Sequence, residues 1–164
     1  MSPSTPGRPT AVDRVEAAAH ALGLVIDIRE FPEGTKTADD AAKAIGVAVG
    51  QIVKSLIFSV DGSVTLALVS GANRLDEAAL ATAAHGTNVA RVDAEAVRAA
   101  TSYAIGGVPP FGYPAPLPTF VDRDLLTFDT VWAAAGSHNH VFAIAPTDLV
   151  RVTGAVVHDL KPAG

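Results

Sequence analysis

Apolar residues alternate with polar ones from Gln51 to Val60 and again from Ser63 to Ser70, and Asp61-Gly62 joins the two runs. Alternation of this kind predicts strands that present one row of side chains to each face. Asp-Gly between two such runs is the strongest short hairpin signal a sequence carries. In the first strand Ile52, Lys54, Leu56, Phe58 and Val60 share one face, and Val53, Ser55, Ile57 and Ser59 the other. Lys54 therefore stands in the most apolar row of the segment. A lysine there either snorkels from the strand end into water, or points partly buried into a ligand pocket where its charge is disfavoured.

The flanking pattern supplies the other elements. Val12, Val15, Ala19 and Leu22 recur at helical spacing behind the capping pair Thr10 and Asp13, which predicts a helix over about 11–22 ended by Gly23. Leu24–Phe31 is β-rich and stops at Pro32. A second helix follows Thr37 and runs to Gly46, its Ala38, Ala41, Ala42 and Ile45 forming a small-residue stripe suited to a sheet. Further helices are expected over about 76–85 (stopped by Gly86), from Asp93 to about Ala100, and from Pro146 to Val152. Further strands are expected at 88–92, 119–122, 127–135, 140–144 and 155–158. Strict βαβ alternation is missing. The predicted fold class is α/β of the α+β type: a single domain with a curled, mixed β-sheet or partial barrel flanked by helices.

Composition narrows the function classes. The chain has 164 residues, 49% hydrophobic and 18% charged, which fits one globular domain over residues 10–164. Residues 1–9, rich in Ser and Pro, read as a disordered tail without the apolar stretch of a secretory leader. No apolar run approaches the ~18 residues of a membrane span. The absence of cysteine removes disulfides, thiolate catalysis and Cys-ligated zinc, and makes the cytoplasm the expected compartment. A net charge of −5 argues against gripping DNA or long RNA, though not against touching the tip of an RNA.

Several segments could carry chemistry. The loop 106–118 holds five of the eleven prolines behind Gly106 and Gly107. It is either a stiff crossover or a rigid pocket wall that offers backbone N–H groups. Gly71-Ala-Asn-Arg-Leu-Asp76 lacks the glycines of a phosphate loop and reads as a strand exit capped by Asp76, with Arg74 free to meet a phosphate. Gly136-Ser-His-Asn-His140 places two histidines at i, i+2 without a third ligand, so a turn near a pocket mouth is favoured over a metal site. No Gly-x-Ser-x-Gly elbow exists.

Taken in order, Gln51-Ile-Val-Lys-Ser-Leu-Ile-Phe58, Ser70-Gly-Ala-Asn-Arg-Leu-Asp76, Gly106-Gly-Val-Pro-Pro-Phe-Gly112 and Leu117-Pro-Thr-Phe-Val-Asp122 resemble the YbaK/ProX family of aminoacyl-tRNA deacylases. That family is related to the editing domain of bacterial prolyl-tRNA synthetase. The resemblance runs from Thr37 to Leu160. It implies hydrolysis of the ester between a wrong amino acid and the 3′ end of tRNA, tRNA for proline above all, without a cofactor. The partners it implies are that aminoacyl-tRNA end and an aminoacyl-tRNA synthetase.

By this resemblance Lys54 is the essential lysine, and the Gly-x-x-x-Pro loop is Gly106 to Pro110. Lys54 would hold the carbonyl or terminal ribose, Gly106 and Gly107 would donate to the oxyanion, and water would attack. A Lys54 of lowered pKa acting as general base is the second variant. Thr37, Ser55, Gly71, Arg74, Pro109 and Phe111 would contact substrate, and Gly136, Ser137 and His138 would close the amino-acid pocket. By alternation Ser55 points away from Lys54, so a role at the pocket requires the strand to twist or bulge. Where the cysteine-specific pattern has a Ser-Gly pair and a later Asp, this chain has Ala135-Gly136 and Val141-Phe142. The rival readings are a non-catalytic module that binds aminoacyl-tRNA or a synthetase through the same pocket, and a hydrolase or binder of unrelated amino-acid esters.

Overall fold

The computed structural model describes residues 10–33 and 37–162; the predicted tail lies outside them. Helices among the described residues are α1 (Ala11–Ala21), α2 (Ala38–Ile45), α3 (Glu77–Ala83), α4 (Ala94–Thr101) and α5 (Pro146–Thr153). Strands are β1 (Ile28–Glu30), β2 (Val53–Val60), β3 (Ser63–Ser70), β4 (Val89–Arg91), β5 (Thr119–Asp122), β6 (Val131–Ala134), β7 (His140–Ile144) and β8 (Val156–His158). They form a three-stranded sheet in the order β1-β7-β6 and a five-stranded sheet in the order β4-β2-β3-β5-β8. The larger sheet is mixed, since β2 pairs antiparallel with β3 and β4 while β5 runs parallel to both β3 and β8. Among the described residues the two sheets meet at one bridge, Ile52 to Trp132, and no barrel closes.

Local chemistry explains most boundaries. Thr10 and Asp13 form a reciprocal capping box on α1, and the Thr37 hydroxyl accepts from the Asp40 N–H at the start of α2. Asp61 and Gly62 both take positive φ, the backbone of the two-residue turn that matches strand twist. The predicted strand over 24–31 shrinks to Ile28–Glu30, which pair with β7, and Phe31 N–H donates to Asn139 C=O at 2.8 Å just beyond it. Leu24 and Ile26 pack against the core without pairing. The strand expected at 127–135 begins only at Val131, since a 3₁₀ turn over Arg123–Thr127 takes its first residue. His85, not Gly86, takes the left-handed conformation after α3. Gly86 is needed for space, because a Cβ there would lie 2.5 Å from Val60 Cγ1.

The two faces of β2 serve different cores. Val53 and Ile57 pack with Val97, Val108 and Phe142 in the main cluster. Leu56, Phe58 and Val60 pack with Leu80, Ala83 and Leu160 under α3. Lys54 belongs to this second row, as the alternation predicts. The 106–118 loop is locked to the turn after β6: Gly136 N–H donates to Gly107 C=O at 2.9 Å, and a Cβ on Gly107 would sit 2.7 Å from Gly136 O. Backbone cannot yield there as a side chain can. Gly107→Ala should cost about 2 kcal/mol, the typical price of overpacking, read as a lowered urea midpoint at unchanged slope.

Candidate active site

The site is built on a stretch of the β2 edge that no strand covers among the described residues. Gly71 N–H donates to Ile52 C=O at 2.7 Å, which sets the hydrogen-bonded pairs of the antiparallel β2–β3 ladder. Lys54, Leu56 and Phe58 therefore turn their main-chain groups to β3, and Val53, Ser55 and Ile57 turn theirs to the opposite edge. Strand β6 meets that edge only at Ile52, and β4 joins it only from Phe58 to Val60. Two clefts open at the gap. One, of about 320 Å³, is walled by Thr37, Ala38 and Ala41 of α2, by Trp132 and Ala133 of β6, and by Gly106, Ser137 and His140. The other, of about 420 Å³, is lined by Phe58, Arg74, Leu75, Glu77, Arg91 and Val92. Lys54, Ser55, Leu56, Val108 and the exposed Ile105 border both.

Lys54 stands on this shared wall. Its ammonium donates to the Asn73 carbonyl, in the loop between β3 and α3. Partial burial pushes its pKa below the ordinary lysine value, and the negative charge of Asp122 opposes that shift. Asp122 is 1% exposed and accepts three N–H donors: Ser70 N at 3.0 Å, the Asn73 side-chain amide at 2.8 Å and Asp124 N at 3.1 Å. The carboxylate thus fixes Asn73, and Asn73 holds the lysine.

Ser55 reaches the clefts without a bulge, since its register opposite Leu68 is unbroken. The open edge, not a twist, brings it there. Its hydroxyl oxygen is buried without a hydrogen-bond partner among the described residues, which is costly unless a ligand satisfies it.

The other sequence-predicted residues divide. Thr37, Gly106 and Ser137 line the smaller cleft and Arg74 the larger. Gly107 is not a free donor, because its N–H is given to Ala104 C=O at 3.0 Å. Gly71 is a packing glycine, where a Cβ would lie 2.4 Å from Val49 O. Phe111 is buried against Phe142, and Pro109 accepts from the Tyr113 hydroxyl, so both support the loop from behind. Gly136 is held at φ +102° against Ala11, and His138 is exposed on the turn outside both cleft walls. Sequence reading passed over Asn73, Trp132 and His140 as site residues. For His140 the Gly136–His140 segment, read above as a turn near a pocket mouth, was an available signal.

Comparison with known proteins agrees with this geometry. The model of the aminoacyl-tRNA editing domain matches residues 32–152. The chain belongs to the aminoacyl-tRNA editing family. An editing domain is a hydrolase of the ester that joins an amino acid to tRNA. A crystal structure described as a candidate trans-editing enzyme for prolyl-tRNA synthetase superposes with a TM-score of 0.89 at 41% identity, covering 99% of each chain. An uncharacterised protein of Bacillus subtilis, YwhH, is 30% identical over 75% of this chain and 78% of its own length. A candidate Cys-tRNA(Pro)/Cys-tRNA(Cys) deacylase of Enterococcus faecalis, EbsC, is 26% identical over 75% of this chain and 76% of its own. Among the described residues of this editing domain, no helix is long and apolar enough to cross a membrane.

Proposed function

We propose that this editing domain acts in trans on mischarged tRNA, with tRNA for proline as the leading substrate, and that Lys54 steadies the reacting carbonyl. The observation that carries the reading is the place of Lys54 on the wall between two clefts. An aminoacyl ester has the same shape: a small acyl group on one side, a nucleoside on the other, and the carbonyl between them. The smaller cleft, at the low end of ligand-pocket volumes and mostly apolar, takes the acyl side chain. The larger one, with Arg74 and Arg91 at its walls and Phe58 and Leu75 in its lining, takes the terminal nucleoside and its phosphate.

Water attacks the carbonyl carbon, and the ester C–O bond breaks. The ribose oxygen leaves with a proton, and the amino acid departs as its acid. Negative charge develops on the carbonyl oxygen, where the ammonium of Lys54 and the N–H of Gly106 stabilise it. A synthetase that hands over the tRNA would compensate for the acidic chain.

The test is a deacylation panel: tRNA for proline, alanine and threonine, each carrying correct and incorrect amino acids. Release of a small amino acid such as alanine or cysteine from tRNA for proline, with prolyl-tRNA spared, is the expected result. Release from none of the mischarged species would overturn the reading.

A further inference from the structure

The smaller cleft ends at a hydroxyl–imidazole–carboxylate relay. Ser137 Oγ lies 2.6 Å from His140 Nδ1, and His140 Nε2 lies 3.8 Å from Glu30 Oε2. Two strands set this up. Glu30 of β1 and His140 of β7 are direct cross-strand partners, and Ser137 closes the turn before β7, with its Oγ accepting the Asn139 N–H at 3.0 Å. Ser137 and His140 line the cleft; Glu30 stands behind them, largely exposed.

A serine hydroxyl has one proton and two acceptor positions. The Asn139 N–H occupies one acceptor position. The neighbouring carboxylate favours the tautomer of neutral His140 with hydrogen on Nε2, which leaves Nδ1 to accept the Ser137 proton. One lone pair of Ser137 then remains, as an acceptor for the cleft. If His140 gains a proton, Nδ1 becomes a donor. Both lone pairs of Ser137 are then spent, and its O–H must turn toward the cleft.

Resting on the functional reading above, we propose that Ser137 receives the α-ammonium of the aminoacyl group and that His140, oriented by Glu30, is the positioning residue that keeps Ser137 an acceptor. Around His140 the charged and titratable groups are Glu30 on β1, Lys54 on β2 across the same cleft, and His138 on its own turn. Arg29 is turned to Asp27 and the Trp132 ring. Cleft-facing residues of α2 and β6, among them Thr37, Ala38, Ala41 and Trp132, do not titrate.

This assigns the relay to recognising the amino group common to all aminoacyl esters, and leaves side-chain selection to the apolar walls. The test measures kcat/KM for an aminoacyl-tRNA and for its deaminated counterpart, acylated with the same side chain lacking the amino group. Ser137→Ala should lower the amino-over-deamino ratio about 10- to 100-fold, the worth of one hydrogen bond to a charged group. Ser137→Thr keeps a hydroxyl and should recover most of the ratio.

His140→Gln should lower the same ratio, by less than Ser137→Ala does. Equal loss on both substrates, or an unchanged ratio, overturns the assignment while the deacylase reading stands. A wild type that hydrolyses neither substrate overturns both together.

Discussion

Lys54→Ala should leave the protein folded and slow ester hydrolysis by about 10²–10³, the usual loss when one preorganised charge at a developing oxyanion is removed. The fold should tolerate the change because the ammonium stands on a cleft wall and, among the described residues, hydrogen-bonds to the Asn73 carbonyl, not to a carboxylate. A melting temperature within a few degrees of wild type, alongside the loss in single-turnover deacylation, would separate chemistry from stability.

The pH profile then distinguishes two roles for the same residue. Burial holds the Lys54 pKa below the ordinary lysine value of 10.5. If the cation stabilises the oxyanion, the rate falls as pH rises through that lowered pKa. If the neutral amine were the general base, the rate would rise through the same range. The geometry favours the cation, since the ammonium is already donating to Asn73 C=O and feels the charge of Asp122. Loss of the alkaline limb in Lys54→Ala would confirm that the limb belongs to this lysine.

Lys54 was legible because a period of two places its side chain among Leu56, Phe58 and Val60, and those neighbours do pack under α3. The hairpin was legible for a local reason as well: Asp61-Gly62 accepts positive φ at both positions. The need for a twist or bulge at Ser55 was misjudged, although the alternation behind it is correct. Alternation assigns side chains to faces; it is silent about which strand edge will be covered. That depends on β4 and β6, which come from far along the chain and leave Val53–Ile57 uncovered between them.

Other parts of the site were hidden for related reasons. Asn73 holds the lysine through a main-chain carbonyl, which any residue possesses, so no motif could mark it. Glu30 and His140 meet only because β1 pairs with β7. The Gly106-Gly107 pair looked like two donors, but a dipeptide cannot show that one of its N–H groups already serves Ala104. Three of the residues assigned to substrate, Gly71, Pro109 and Phe111, lie outside both cleft linings, so motif membership does not by itself put a side chain on the cleft surface.

Asp122→Ala should be the most damaging substitution behind the site, costing about 3 kcal/mol of stability and much of the activity. The carboxylate is buried and accepts Ser70 N, Asn73 Nδ2 and Asp124 N. Alanine would leave the Ser70 N–H stranded, and a buried donor without a partner costs about 1–3 kcal/mol. For a chain of this length about 3 kcal/mol lowers the melting midpoint by about 6–12 °C. Asp122→Asn fills the same space but turns an N–H₂ toward donors, so it should recover only part of that loss. Activity should fall in both variants even well below their melting points, because Asp122 fixes the Asn73 loop whose carbonyl holds Lys54. Assayed cold, a variant with a wild-type rate and a lowered midpoint would show that the network supports the fold alone. A drop in kcat together with a shifted alkaline limb would show that the buried carboxylate sets the position and charge of the lysine.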